Sequence, residues 1–201
     1  MDADFKLCGE MPLFSSFQIT REAWGCGSFE LHAAVNAAGA DQLEQDRILW
    51  PAGAAHKACI IEDVKTTETE VVAAGCQLKG LVKRRLCVPC VNGTETAAYQ
   101  GFGYDLFTGP AESTIKHYIG ANCVTPTDTK RKLPRLVLEA DAGRGVALPW
   151  AARFEALDAY LSTIGETTLM GWDIVPDFET QTFVVRCVPG VDHTQGAQRV
   201  L

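Results

Sequence analysis

Residues 80 to 93, GLVKRRLCVPCVNG, hold the one close pair of cysteines in the chain, Cys87 and Cys90. Two thiols at this spacing can clamp a metal, cycle as a redox dithiol, or serve as small apolar side chains. A zinc site needs four ligands, usually two such pairs or one pair with two histidines. No second pair exists, and the histidines at 32, 56, 117 and 193 are dispersed. A thioredoxin-like site places the pair between a strand and a helix. Here the pair follows a helix-like run, LKGLVKRRL, and encloses Pro89. Apolar filling is the simplest reading. A metal held with distant ligands and a redox pair are the two alternatives.

Other chemistry-bearing residues are sparse. Asp192-His193-Thr194 is compact and polar, with no nucleophile identified beside it. Gly143-Arg144-Gly145 reads as a structural turn with a solvated arginine, the alternative being contact with a phosphate or a neighbour's carboxylate. Gly101, Gly103 and Gly109 do not fit the dinucleotide spacing. The nucleophile-elbow, zinc-protease and phosphate-loop patterns are missing as well. Asn92-Gly-Thr94 matches a glycosylation acceptor, which has no meaning in a cytoplasmic chain. No catalytic residue, no cofactor and no metal are therefore expected.

The scaffold that would carry such residues is 201 residues long, 47% hydrophobic and 21% charged. A chain of this size buries about 70% of its unfolded surface and needs no staples. The remaining cysteines, Cys8, Cys26, Cys59, Cys76, Cys123 and Cys187, are scattered singly, as in a reducing compartment. The formal net charge of −7 argues against specific nucleic-acid binding. No apolar run reaches the ~20 residues of a membrane helix. The acidic start, Met1-Asp-Ala-Asp-Phe, is unlike a signal peptide, so a cytoplasmic location is expected.

Periodicity predicts strands before residue 80: 14–21, 28–35, 48–51, then a hairpin of 58–65 and 70–76 around TTET. Pro110 opens a helix with Ala111, Ile115, Tyr118, Ile119 and Asn122 on one face. A second helix is expected from Pro149. Trp150, Phe154, Leu157, Leu161 and Ile164 form its stripe, and Gly165 its stop. Mid-stripe Phe154 and Leu157 are expected to be buried. Arg135 to Glu139 is extended. MGWDIVP and TQTFVVRCV then form a hairpin joined by DFE. The last residues, GAQRVL, read as the start of a further strand, as in a truncated or short version of a longer protein.

GSFELHAAVN (27–36), IIEDV (60–64), GCQLKGLVKRR (75–85), AESTIKHYIGANCVTP (111–126), LPRLVLEADAGRG (133–145), RFEALDAYL (153–161) and GVDHT (190–194) occur in that order. In this series the chain resembles the ReqiPepy-type siphovirus tail proteins, the thirty-seven-like family of phages and prophages. The resemblance runs from about residue 14 to the end. It implies an α+β fold of β-rich, barrel-like tail-hub domains with an inserted α+β segment containing two helices. The corresponding division is 1–91 for an N-terminal barrel-like domain, 92–166 for the helical insertion and 167–201 for a returning hairpin. It further implies a non-enzymatic hub or baseplate subunit joining tail tube to tip. Such a subunit is trimeric in the tail, bound to other tail proteins, made in the cytoplasm and carried in the virion. A cell-wall-acting tail enzyme, or a zinc or thiol module at Cys87 and Cys90, is the alternative. No role for those two cysteines follows from the family.

Overall fold

The computed structural model describes residues 1–89 and 103–190. The fold is α+β, with a curled half-barrel sheet. Five strands build that sheet: β1 (Ser16–Thr20), β2 (Ser28–Ala34), β3 (Ile48–Leu49), β4 (Cys59–Thr66) and β5 (Glu70–Gln77). Their order is β1-β2-β5-β4-β3, antiparallel throughout. The β4–β5 hairpin falls where the sequence places it, closed by the Thr67 amide donating to the Glu70 carbonyl.

Alternation along β2 and β5 explains one face of this sheet. Phe29, Leu31 and Ala73 point inward with Cys59 and Ile61, forming a small core. A register shift between Ile61 and Asp63 turns the strand, and Ile60 and Cys76 face a second, larger core. One sheet thus closes two apolar volumes.

A 3-10 helix, Leu78–Arg84, leaves the sheet where the sequence expects a helical run. The Gly- and Thr-rich stretch, to which the sequence assigns no element, contains β6 (Asp105–Pro110), which feeds directly into α1 (Ala111–Ile119). Helix α1 buries Ala111, Ile115, Tyr118 and Ile119 and runs on into a π-helical turn, Gly120–Val124. Strand β7 (Leu136–Leu138) follows, then β8 (Ala147–Ala152), which pairs antiparallel with β6.

The second helix starts late. Pro149 and Trp150 lie in β8, and α2 spans Leu157–Thr168. Phe154 adopts a left-handed backbone, φ 61°, which breaks the chain between strand and helix. Its amide donates to the Cys87 carbonyl, and its ring is exposed. Leu157, Leu161 and Ile164 are buried as the stripe requires. Trp150 and Phe154 extended the same spacing across a strand and a turn, so the periodicity overran the true start. Gly165 is no stop either. A Cβ there would meet the Trp24 ring at 2.8 Å, so glycine is what lets residue 24 lie against α2. The helix ends at Leu169, φ 55°.

The chain closes with β9 (Met170–Asp177) and β10 (Thr182–Pro189), the expected hairpin. Strand β10 also pairs with β7 in parallel, making a three-stranded sheet in the order β7-β10-β9. The larger core gathers side chains from β3, β4, α1, α2, β9 and β10.

Candidate functional site

The Gly-Arg-Gly turn and α1 build the most charged interior site. Glu112, in the first turn of α1, is fully buried. One of its oxygens accepts from Arg144 Nε at 2.7 Å and from the Arg144 amide at 3.1 Å. The other accepts from Lys116 Nζ, one turn on, at 2.5 Å and from Arg144 Nη2 at 3.1 Å. Lys116 Nζ also donates to the Ala140 carbonyl, and Arg144 Nη2 to that of Cys187. The Arg144 hydrogen bonds, with help from Lys116, hold the Glu112 carboxyl well below the usual carboxylate range. Arg144 is thus spent within its own chain, not offered to a neighbour. The turn needs glycine at 145, where φ is 89° and a Cβ would meet Ala111 Cβ at 2.8 Å.

Lys79 makes the second such site, which sequence reasoning missed. It sits on the 3-10 helix, fully buried. Its ammonium donates to the carbonyls of Glu22 (2.7 Å), Ala23 (3.1 Å) and Trp172 (3.1 Å) and lies 4.9 Å from the centre of the Trp172 ring. Burial pushes its pKa down. Arg21 and Asp173, paired at 2.6 Å, stand beside it. They line a cleft of about 560 Å³ with Trp24, Leu169 and Gly190. Burial raises the Asp173 carboxyl, and its charge is answered by Arg21.

The nearest approach to a catalytic pair is Asp105 with His117. Asp105 Oδ1 lies 2.9 Å from His117 Nε2, and the imidazole stacks on Phe107 at 4.3 Å. Asp105 is buried, and its Oδ2 has no hydrogen-bond partner. Among the described residues His117 bonds no hydroxyl or thiol.

Cys87 is buried between backbone partners. Its amide donates to the Glu155 carbonyl at 2.8 Å, and its own carbonyl accepts from Phe154 at 2.6 Å. Burial pushes its thiol up to about 12, as it does those of Cys59, Cys76, Cys123 and Cys187. Such thiols carry almost no thiolate at neutral pH, the form that reacts or binds metal. Cys90, Asn92, Gly101 and Asp192-His193-Thr194 lie outside the described residues. Among those described, no cluster of three metal-ligating side chains forms. Next to Cys87, Asn122 ties the π-helical turn to the chain: its Oδ1 accepts the Val88 amide at 2.9 Å, and its Nδ2 donates to the Tyr118 carbonyl. That polar role was hidden in an otherwise apolar stripe.

Glu112 and Lys79 are held by charges or carbonyls from other segments, whereas Asp105 Oδ2 has no partner among the described residues. The class is an α+β protein with a half-barrel sheet and structural ion clusters. The chain belongs to the Siphovirus ReqiPepy6 Gp37-like protein family, whose model matches residues 1–200. Two solved structures are similar to it. The E. coli c3393 protein is described as a component of the type VI secretion system with structural similarity to T4 bacteriophage tail proteins gp27 and gp5. It is 9% identical with a TM-score of 0.48, covering 91% of this chain and 47% of that one. The 43 kDa tail protein of prophage MuSo2 from Shewanella oneidensis is 11% identical with a TM-score of 0.33, covering 84% and 51%. The chain therefore spans about half the length of each. No curated protein matches it.

Proposed function

We propose that the chain is a structural component of a phage or prophage tail, a hub or baseplate subunit that joins the tail tube to the tip. Membership of the siphovirus family across residues 1–200 carries this reading. The interior supports it: ion clusters such as Glu112–Arg144–Lys116 rigidify a building block. The subunit acts without catalysis, as a homotrimer in contact with other tail proteins, assembled in the cytoplasm and carried in the virion tail. Its division is 1–91, 92–166 and 167–201. Among the described residues no helix is long and apolar enough to cross a membrane.

The test is particle composition. Particles from an induced host are purified, and the protein is sought by mass spectrometry and by gold-labelled antibody. Label at the tail tip supports the reading. Intact tails that lack the protein, in cells that express it, reject it.

A further inference from the structure

The five-stranded sheet consists of two antiparallel pairs set side by side, β1 with β2 and β4 with β5. The seam between them is the β2–β5 ladder, which runs from Phe29 opposite Gly75 to Ala34 opposite Glu70. His32 spans that seam on the face turned away from Phe29, Leu31 and Ala33. It stands opposite Val72, with Glu30 beside it on β2 and Glu70 diagonally across on β5. Its Nε2 lies 2.7 Å from Glu30 Oε1, and its Nδ1 lies 3.0 Å from Glu70 Oε1.

These two contacts fix the proton count of the ring. A neutral imidazole has one N–H and one lone pair, so only one of its nitrogens can donate to a carboxylate. The other would turn its lone pair on a carboxylate oxygen. With a proton on each nitrogen, both contacts become charge-assisted hydrogen bonds. The neighbouring strands add no competing charge at this level. On β1, Ser16 stands opposite His32 and Gln18 opposite Glu30. On β5, Val72 and Ala74 hold the corresponding places. One strand further, β4 carries Asp63 and Lys65 on the same face, and these pair with each other at 3.6 Å. The imidazole is partly exposed, so solvent reaches it to exchange protons.

We propose that His32 is a proton-operated latch on the half-barrel sheet: as an imidazolium it ties β2 to β5, one nitrogen held by Glu30 and the other by Glu70, and as a neutral ring it lets one carboxylate go. The hydrogen bonds to Glu30 first, then to Glu70, raise its pKa above the usual value of about 6.5. A group whose folded pKa is raised stabilises fully below its unfolded pKa, and that stability is lost as pH rises through the folded value. The seam is therefore tightest in mildly acid solution and loosens on the alkaline side. Below the carboxylate range the glutamates themselves take protons, and the latch opens again.

Nuclear magnetic resonance of the full chain, with nitrogen-15 in its histidines, reads the ring directly. His32 is assigned through its bonds to the backbone, and both of its nitrogens are followed against pH in low salt. At about pH 6.5 most of the His32 rings carry two protons, and the midpoint lies above that pH. Glu30→Gln and Glu70→Gln each lower the midpoint, and strong salt lowers it in the wild type. A midpoint at or below the ordinary value, or one that neither substitution moves, overturns the latch. Urea unfolding supplies the second reading. The wild type exceeds His32→Gln in stability by more at about pH 6 than at about pH 9. A difference that is the same at both pH values overturns the coupling of the proton to the seam. Glu70→Gln, which keeps the histidine, is compared with the wild type in the same way, so the reading survives if His32→Gln does not fold.

Discussion

Arg144 and Glu112 lie 32 positions apart in the chain and meet in a two-pronged ion pair, at 2.7 Å and 3.1 Å, with the carboxylate fully buried. The fork of the guanidinium matches the two oxygens, and Lys116 completes the shell from the next helical turn. The pair fastens the loop before β8 to the first turn of α1.

Removing the anion leaves Lys116 buried without its carboxylate. Glu112→Ala is expected to cost roughly 3–5 kcal/mol, the usual penalty for breaking a buried ion pair. Arg144→Lys keeps a cation but loses the fork, so it too destabilises, by less. Urea unfolding of both variants checks the order. A Glu112→Ala midpoint equal to the wild type's would show that the cluster is dispensable.

The same residue sets an acid dependence. Its folded pKa lies below the unfolded value, held there first by Arg144. The stability it provides is therefore complete above the ordinary carboxylate range and is lost as pH falls through and below it. Asp173, raised by burial, acts with the opposite sign. The difference between wild type and Glu112→Gln isolates the Glu112 contribution. That difference is expected to be largest near neutral pH and to shrink steadily below about pH 4. A constant difference from pH 7 to pH 3 would refute the linkage.

Lys79 anchors the 3-10 helix to three carbonyls from two other segments. Lys79→Met fits the apolar stem but strands those carbonyls in the interior. The expected loss is about 2–4 kcal/mol, since hydrogen bonds to charged groups are worth roughly 1.5–3 kcal/mol each and part is recovered by relaxation. Hydrogen exchange should show faster opening at the Trp172 stretch of β9 before any global change. Uniform protection in the variant would argue against the anchor.

The sheet strands and the last hairpin were legible because their alternation and turn residues are local signals. Phe29, Leu31 and Ala33 mark a buried face by period alone, and the structure buries all three. Strand β6 was not legible. Its glycine, threonine and proline suggest a loop, and only pairing with β8, some 40 residues on, makes it a strand. The ion clusters escaped for the same reason. Nothing near Glu112 announces Arg144, and a lysine between leucine and glycine gives no sign of three distant carbonyls. Gly165 shows the reverse error: a local stop signal overruled by the close approach of Trp24.

The corrected start of α2 separates two residues that the stripe treated alike. Leu161 is fully buried among side chains of the larger core, whereas Phe154 precedes the helix and is exposed. Leu161→Ala should leave a cavity and cost about 2–5 kcal/mol. Phe154→Ala removes a surface ring and its contact with Arg153, so its loss should stay below about 1 kcal/mol. Alanine carries the same Cβ as phenylalanine, so the left-handed φ of 61° at 154 is strained alike in both, which keeps the comparison on the side chain. Chemical denaturation of the two variants, side by side, decides between the helix that periodicity suggests and the helix that begins at Leu157. Comparable large losses at both positions would place Phe154 inside the core and contradict the observed start.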